Sequence, residues 1–269
     1  MIKKALRYFV TIIGLSVIIV LLFSKKVTRE QFAPRDFDEI VKSGTLRAVT
    51  GYNAINLHYS DDTISGFDYE LLHAFAHDKK LKLDITPVAS FNERFEGITS
   101  GRFDILASST PVTSQLKDTL NFSRALLLNR QVLVQRNDKD SLYIKNQLEL
   151  ANKTIHLVKN SPAMVRIHNL MSEIGDTIYV QEIERYGAEQ LLAMVSAGDI
   201  NYAVCDENVA KASIKEFSNL DIKTDIGFTQ FYSWGVNKHS SALLDTLNSW
   251  LDNYLQSKAY KKLYKKYFQ

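Results

Sequence analysis

The chain has 269 residues, 45% of them hydrophobic and 23% charged, with a formal net charge of +3. That is the composition of a globular chain long enough for two lobes, each with its own core. The nearly balanced charge, with aromatics on apolar faces rather than between basic residues, argues against nucleic acid as a partner, and the single cysteine, Cys205, excludes an intrachain disulfide.

The N-terminus is basic, Met1-Ile2-Lys3-Lys4-Ala5-Leu6-Arg7, and is followed by residues 8–23, apolar except for Thr11 and Ser16. At ~1.5 Å per residue this run spans roughly 24 Å, slightly short of a ~30 Å bilayer core unless Ala5 and Leu6 join it. No small-x-small site closes the run at Val20-Leu21-Leu22-Phe23-Ser24, and no cysteine is there to carry a lipid. Residues 1–26 therefore read as an uncleaved signal anchor in preference to a removed signal peptide. Lys3, Lys4 and Arg7 before the run nearly balance Lys25, Lys26 and Arg29 after it, so charge alone leaves the orientation open. Residues 27–36 read as a polar tether.

Beyond it, Phe37-Asp38-Glu39-Ile40-Val41 predicts a short helix ending at Ser43-Gly44, and Leu46-Arg47-Ala48-Val49-Thr50 a strand. Residues 51–65 read as a polar loop turning at Asp61-Asp62. Phe67, Leu71, Leu72, Phe75 and Ala76 recur at helical spacing. Residues 81–85 alternate as a strand ended by Pro87. Residues 91–100 form a helix with Phe91, Phe95 and Ile98 on one side, stopped by Gly101. A buried strand over 104–107 leads into a loop of small polar residues, Ser108-Ser109-Thr110-Pro111, and 131–135 is a strand crossing between lobes. A second β/α series follows: strands over 154–158, 177–181, 202–205, 222–224 and 232–237, and helices over about 162–171 and 188–196, with Asp206 capping another. Two helices close the chain, about 241–256 and 259–268. The alternation predicts an α/β fold with mainly parallel sheets.

Catalytic signals are missing from this pattern. Glu173 and Glu182 sit in polar contexts without an acid–base pairing, and neither a phosphate-cradling glycine loop nor a nucleophile elbow occurs. His73 and His77 are four apart on one helix, but no Glu-containing zinc motif accompanies them, so no metal and no cofactor is expected. Cys205, inside the apolar run Tyr202-Ala203-Val204-Cys205, reads as a small buried hydrophobe. Tyr52 and Asn53 lie on the loop after the first strand, the usual mouth of an α/β cleft; which of the two faces a ligand is open.

Taken in order, Gly66-Phe67-Asp68-Tyr69-Glu70-Leu71, Gly101-x-x-Asp104, Asn121-Phe122-Ser123, Gly198-Asp199 with Asp206, and the terminal Tyr264-Lys265-Lys266-Tyr267-Phe268 resemble the family-3 extracellular solute-binding proteins. Among variants of that family, the N-terminal binding module of the membrane-bound lytic transglycosylases is similar, with its own Phe-x-Asp-Tyr-Glu-Leu run after a membrane or export segment. The resemblance implies a periplasmic-binding-protein-like (type 2) α/β fold of two lobes joined by two crossing strands. Lobe one would be 37–131 with 228–269, and lobe two 132–227. It implies a receptor held at the inner membrane by a single N-terminal helix, with its soluble part in the periplasm. The ligand would be a small polar molecule, an amino acid, a peptide or a cell-wall fragment, and the protein partner a cell-wall enzyme or an ABC permease. Catalysis in the lytic transglycosylases needs an acid in a domain that follows the binding module, and the module-like region here runs to Gln269, so the expectation is binding without catalysis.

The resemblance also implies site residues. Asp206 matches the acid that holds a ligand ammonium, and plain helix capping is an equal alternative. Ser161 matches a hydroxyl at a helix start that meets a carboxylate, or an ordinary cap. Ser108 and Ser109 match first-lobe contacts, and Phe91 an apolar wall or a core residue. Asp68 matches a structural tie between the preceding loop and its helix. Three positions depart from the pattern: Leu116 stands where relatives place a carboxylate-binding arginine, Pro111 where they place a hydroxyl and Ala54 where they place an aromatic. Free α-amino acid binding in the standard mode is therefore not the expectation.

Overall fold

The computed structural model describes residues 32–60, 63–138, 142–184 and 186–269. The anchor expected over 1–26 and the first part of the tether lie outside them. Among the described residues no helix is long and apolar enough to cross a membrane.

In chain order, helix α1 (Phe37–Ser43) precedes β1 (Thr45–Thr50), the hairpin β2 (His58–Ser60) and β3 (Thr63–Ser65), and α2 (Phe67–Asp78). Then come β4 (Lys82–Pro87), α3 (Phe91–Thr99), β5 (Ile105–Pro111), the single turn α4 (Ser114–Lys117), β6 (Leu120–Phe122) and β7 (Leu127–Asn129). The next group is β8 (Gln131–Arg136), β9 (Thr154–Val158), α5 (Ala163–Ile174), β10 (Tyr179–Ile183), α6 (Ala188–Ala197), β11 (Ala203–Asp206), α7 (Glu207–Ser213) and β12 (Leu220–Asp221). β13 (Gln230–Asn237), α8 (Ser241–Tyr254) and α9 (Lys258–Phe268) close the chain.

Local chemistry sets the ends of these elements. Asp36 and Glu39 form a capping box on α1, and Gly44 ends it in the left-handed region. Ser90 caps α3 through the Glu93 N–H, and Ser257 caps α9 through that of Tyr260. Gly101 follows α3 at φ +79°, and a Cβ there would overlap the backbone of Ala33 and Pro34. Only glycine fits that close approach.

Two sheets result. In the first the order is β4-β1-β5-β13-β6, with β7 also on β13; β1 runs parallel to β4 and β5, and β13 antiparallel to β5, β6 and β7. In the second the order is β10-β9-β11-β8-β12, with β10, β9 and β11 parallel and β8 antiparallel to both of its neighbours. Successive strand residues point to opposite faces, so each sheet carries a core on both. Ala48, Ile105, Trp234, Phe67 and Phe75 belong to one core of the first sheet, and Val49, Leu106, Ile98 and Phe103 to the other. In the second sheet Leu133 packs with Ile155, Leu157 and Ile167, while Val132 and Val134 pack with Leu191 and Leu192.

The chain leaves the first sheet after Asn129, enters the second at Gln131, and rejoins the first at Gln230. Arg130 sits at the outward crossing. Its Nη1 donates to Asp225 (2.7 Å) and its Nη2 to Glu207 (3.0 Å), which ties the outward crossing to the start of α7 and to the segment that leads into the return crossing. Arg35 and Asp36, at the end of the expected tether, are held in the first lobe. Arg35 forks onto Asp104, which also accepts from the backbone N–H and Nη2 of Arg47.

Four expectations are corrected. The sheets are mixed rather than mainly parallel, because β13 returns from the second lobe against the direction of β5, and β8 against that of β11. Ser108–Pro111 is strand, not loop: Thr110 and Pro111 lie opposite Ser233 and Tyr232 of β13, which gives small polar residues a ladder. Loop 51–65 contains the β2–β3 hairpin. The strand expected over 222–224 lies at Leu220–Asp221, paired with Arg136 and Gln135.

Candidate functional site

The C-terminal ends of β1 and β5 in one lobe face those of β9 and β11 in the other, where ligands of open α/β sheets are held. Between them lies a cleft enclosing about 840 Å³, its solvent-open mouth included. All seven residues singled out from the sequence line it: Tyr52, Asn53, Phe91, Ser108 and Ser109 on the first lobe, and Ser161 and Asp206 on the second.

Their surroundings differ. Asp206 stands at the start of α7 in extended conformation but makes no side-chain bond to that helix. Its Oδ1 accepts from the Tyr232 hydroxyl of β13 (2.5 Å), so the expected cap is replaced by a bond between the lobes. Burial pushes the Asp206 carboxyl up to about 6, against the Tyr232 bond, which lowers it. Ser161 lies one residue before Pro162, the residue that opens α5, and no side chain caps that helix. The N-terminus of α5 therefore meets the cleft without a side-chain cap, the Met164 N–H being taken by the Ser161 carbonyl, and the helix dipole favours an anion there.

On the first lobe, Asp68 organises the wall. It is fully buried and accepts four bonds: from Asn56 (2.7 Å), the Ser109 hydroxyl (2.7 Å) and N–H (3.1 Å), and the Trp234 indole (2.6 Å). It thus ties the loop after β1 to β5 and β13 as well as to its own helix. The Ser109 hydroxyl hydrogen is committed to Asp68, so towards the cleft that oxygen acts only as an acceptor. Ser108 is the converse: its Oγ accepts from Asn56 (3.0 Å), which leaves its own hydrogen to donate. Asn53 closes a turn by accepting from the N–H groups of Ile55 and Asn56. Tyr52 is 46% exposed and stacked on Tyr59, a rim position. Phe91 is 9% exposed and supplies apolar wall.

Asn56, Arg94 and Gln131 are polar lining residues that the sequence did not single out. Asn56 and Gln131 gave no local signal. Arg94 did: it falls at i+3 from Phe91 on the apolar side of α3 that also carries Phe95 and Ile98, a place where a charge is unexpected. Leu116 is not among the lining residues, whereas Pro111 is. Cys205, at the floor, is buried, and burial pushes its thiol up, which removes nucleophilic character. The described residues contain no group of three or more His, Cys, Asp or Glu arranged to hold a metal ion.

The lobes also touch beside the cleft. The Ala54 N–H donates to Glu189 Oε1 at the start of α6 (2.8 Å), and burial raises the Glu189 carboxyl.

Comparison with known proteins agrees with this architecture. The chain is 25% identical over 237 residues to the membrane-bound lytic murein transglycosylase F of Pseudomonas fluorescens, covering 87% of this chain and 48% of that protein. The corresponding protein of Photobacterium profundum is 24% identical over 234 residues, covering 87% and 45%. The chain spans about half the length of these curated relatives. Among solved structures, an ancestral arginine-binding protein bound to arginine superposes with a TM-score of 0.75 at 23% identity, covering 84% of this chain and 99% of that one. The P235GK mutant of ArgBP from T. maritima gives 0.74 at 23%, covering 86% and 98%. These structures share the two-lobed fold. Residues 46–269 match the family described as bacterial extracellular solute-binding proteins, family 3, and the chain belongs to that family.

Proposed function

We propose that this chain is an extracytoplasmic receptor module that closes its two lobes on a small polar molecule, without catalysis of its own. The observation that carries the reading is the cleft between the lobes, with Ser108 and Ser109 on one wall and Ser161 and Asp206 on the other. A ligand in such a cleft exchanges contacts with water for contacts with both lobes at once, and that difference drives closure. The amine-holding group is Asp206, and the uncapped start of α5 at Ser161 suits an anionic end. Amino acids and short peptides carry both charges. The lobes divide at 131/132 and 227/228, residues 1–26 anchor the module in the inner membrane, and 27–36 lead from that anchor to the periplasmic lobes.

Calorimetry of the purified chain with the twenty L-amino acids, di- and tripeptides and muropeptides tests this. We expect one of these classes to bind and to reduce the radius of gyration in small-angle scattering. A folded protein that gives no heat and no compaction with any of them overturns the reading. A second reading comes from the curated relatives. A module matching about half of a lytic murein transglycosylase suits an accessory of peptidoglycan turnover, and muropeptide binding with rejection of free amino acids would favour it. The fold is equally that of a solved substrate-binding protein of an amino acid ABC transporter, and free amino acid binding with capture of a permease from membranes would favour a transport role.

A further inference from the structure

Arg94 is a charged feature of the cleft that the fold itself does not account for. It lies on α3, lines the cavity and is 9% exposed. Its hydrogen bonds to the carbonyls of Val88 (2.5 Å) and Ala89 (2.8 Å) both come from Nη1. These bonds hold the turn before α3 and fix the plane of the guanidinium. Nε is buried without a partner. Among the described residues no carboxylate lies within ion-pair distance of Arg94; Glu93, next to it in sequence, approaches Arg102 instead (3.8 Å). Burial lowers the Arg94 guanidinium only to about 10, so it stays cationic at neutral pH. A buried cation without a counter-ion is costly, and structural use of Nη1 alone leaves that cost standing. A neutral donor would serve the two carbonyls as well.

We infer that Arg94 is the anion anchor of the cleft, pairing its free guanidinium edge with the carboxylate of a small ligand whose amine is taken by Asp206 on the opposite lobe. This deepens the proposed function and rests on the cleft being the ligand site. A planar guanidinium fits a carboxylate with two parallel N–H···O bonds, which an ammonium cannot reproduce. The ligand class is thereby narrowed to molecules with an acid and an amine, and neutral sugars and simple polyamines are excluded.

The test has two arms. In the first, wild-type protein, Arg94→Gln and Arg94→Lys are titrated with the L-amino acids, dipeptides and muropeptides and with the carboxamides of those that bind. We expect the acid form to bind wild type ~10- to 100-fold better than its amide, the preference to vanish in Arg94→Gln, and Arg94→Lys to keep only part of it. Equal binding of acid and amide by wild type overturns the inference, as does a folded Arg94→Gln that keeps the preference. Should Arg94→Gln not fold, the wild-type ratio and Arg94→Lys decide alone. In the second arm, thermal unfolding of the same proteins is followed in sodium acetate against sodium chloride at equal ionic strength. Stabilisation by acetate that is lost in Arg94→Gln supports an anion site even if the first arm finds no ligand and the receptor reading fails. No acetate effect on wild type, together with no preference for acids, overturns it.

Discussion

Asp206 makes a prediction in which affinity and stability move in opposite directions with pH. A ligand ammonium needs the ionised carboxylate, and in the empty cleft burial holds that carboxyl at about 6. Roughly 90% of molecules are ionised at pH 7 and roughly 10% at pH 5, so affinity for an amine-bearing ligand falls by about tenfold over that interval. Stability of the empty protein behaves the other way. An aspartate titrates near 3.8 in the unfolded chain and at about 6 in the fold. Between these values the folded state holds the proton that the unfolded state has lost, and stability falls as pH rises. The cost of keeping Asp206 ionised in the fold is about 3 kcal/mol, absent below 3.8 and complete above 6. Asp68, also raised to about 6 by burial, acts in the same direction, so Asp206→Asn against wild type isolates the share of one group. Calorimetric titrations from pH 5 to 7.5 and urea unfolding of the ligand-free protein at the same pH values provide the two curves. Affinity that is level or improves on acidification to pH 5, or an Asp206→Asn variant that keeps both the affinity and its pH slope, refutes the assignment of Asp206 to the ligand amine.

Three further substitutions probe the scaffold. Asp104→Asn removes one acceptor oxygen from a fully buried carboxylate that serves Arg35 and Arg47. With the two guanidiniums about a fifth exposed, we expect a loss of about 2–3 kcal/mol in urea unfolding at unchanged slope. Glu189→Ala deletes the acceptor for the Ala54 N–H beside the cleft. The expected cost to the closed form is about 1 kcal/mol, seen as roughly fivefold faster ligand release in stopped flow. Gly101→Ala forces a side chain into the left-handed region against the backbone of Ala33 and Pro34. A loss of about 2–4 kcal/mol, read as a lowered thermal midpoint with cleft binding intact at low temperature, follows from strain and overlap together.

Much of the architecture was legible because local chemistry repeats along the chain. The spacing of Phe67, Leu71, Leu72 and Phe75 marks α2, whose N-terminal turn brings Asp68 to the wall of the cleft. Glycine at 44 and 101 punctuates the first lobe, and the polar loop after β1, with Tyr52 and Asn53, sits where α/β sheets open. Of the seven candidate residues, Tyr52 and Asn53 follow β1, Phe91 opens α3, Ser161 precedes α5 and Asp206 ends β11, places where a sheet of this kind exposes side chains to a cleft, whereas Ser108 and Ser109 lie within β5.

What could not be read was every property set by a partner far away in sequence. Ser108–Pro111 looks like a loop until β13, more than a hundred residues later, offers it a ladder. Asp206 looks like a cap until Tyr232 arrives from the other lobe to take its oxygen. Arg94 stands out in the sequence only as a charge on the apolar side of a short helix; its lack of a carboxylate partner among the described residues and its place beside the cavity come from the packing around it. The amino-acid order of this protein dictated its helices, its turns and the two-lobed alternation, because those depend on residues within a few positions of one another. Strand order, the partner of each buried polar group and the charge presented to a ligand were decided only by tertiary structure, because burial and hydrogen bonding there are properties of what the rest of the chain packs against them.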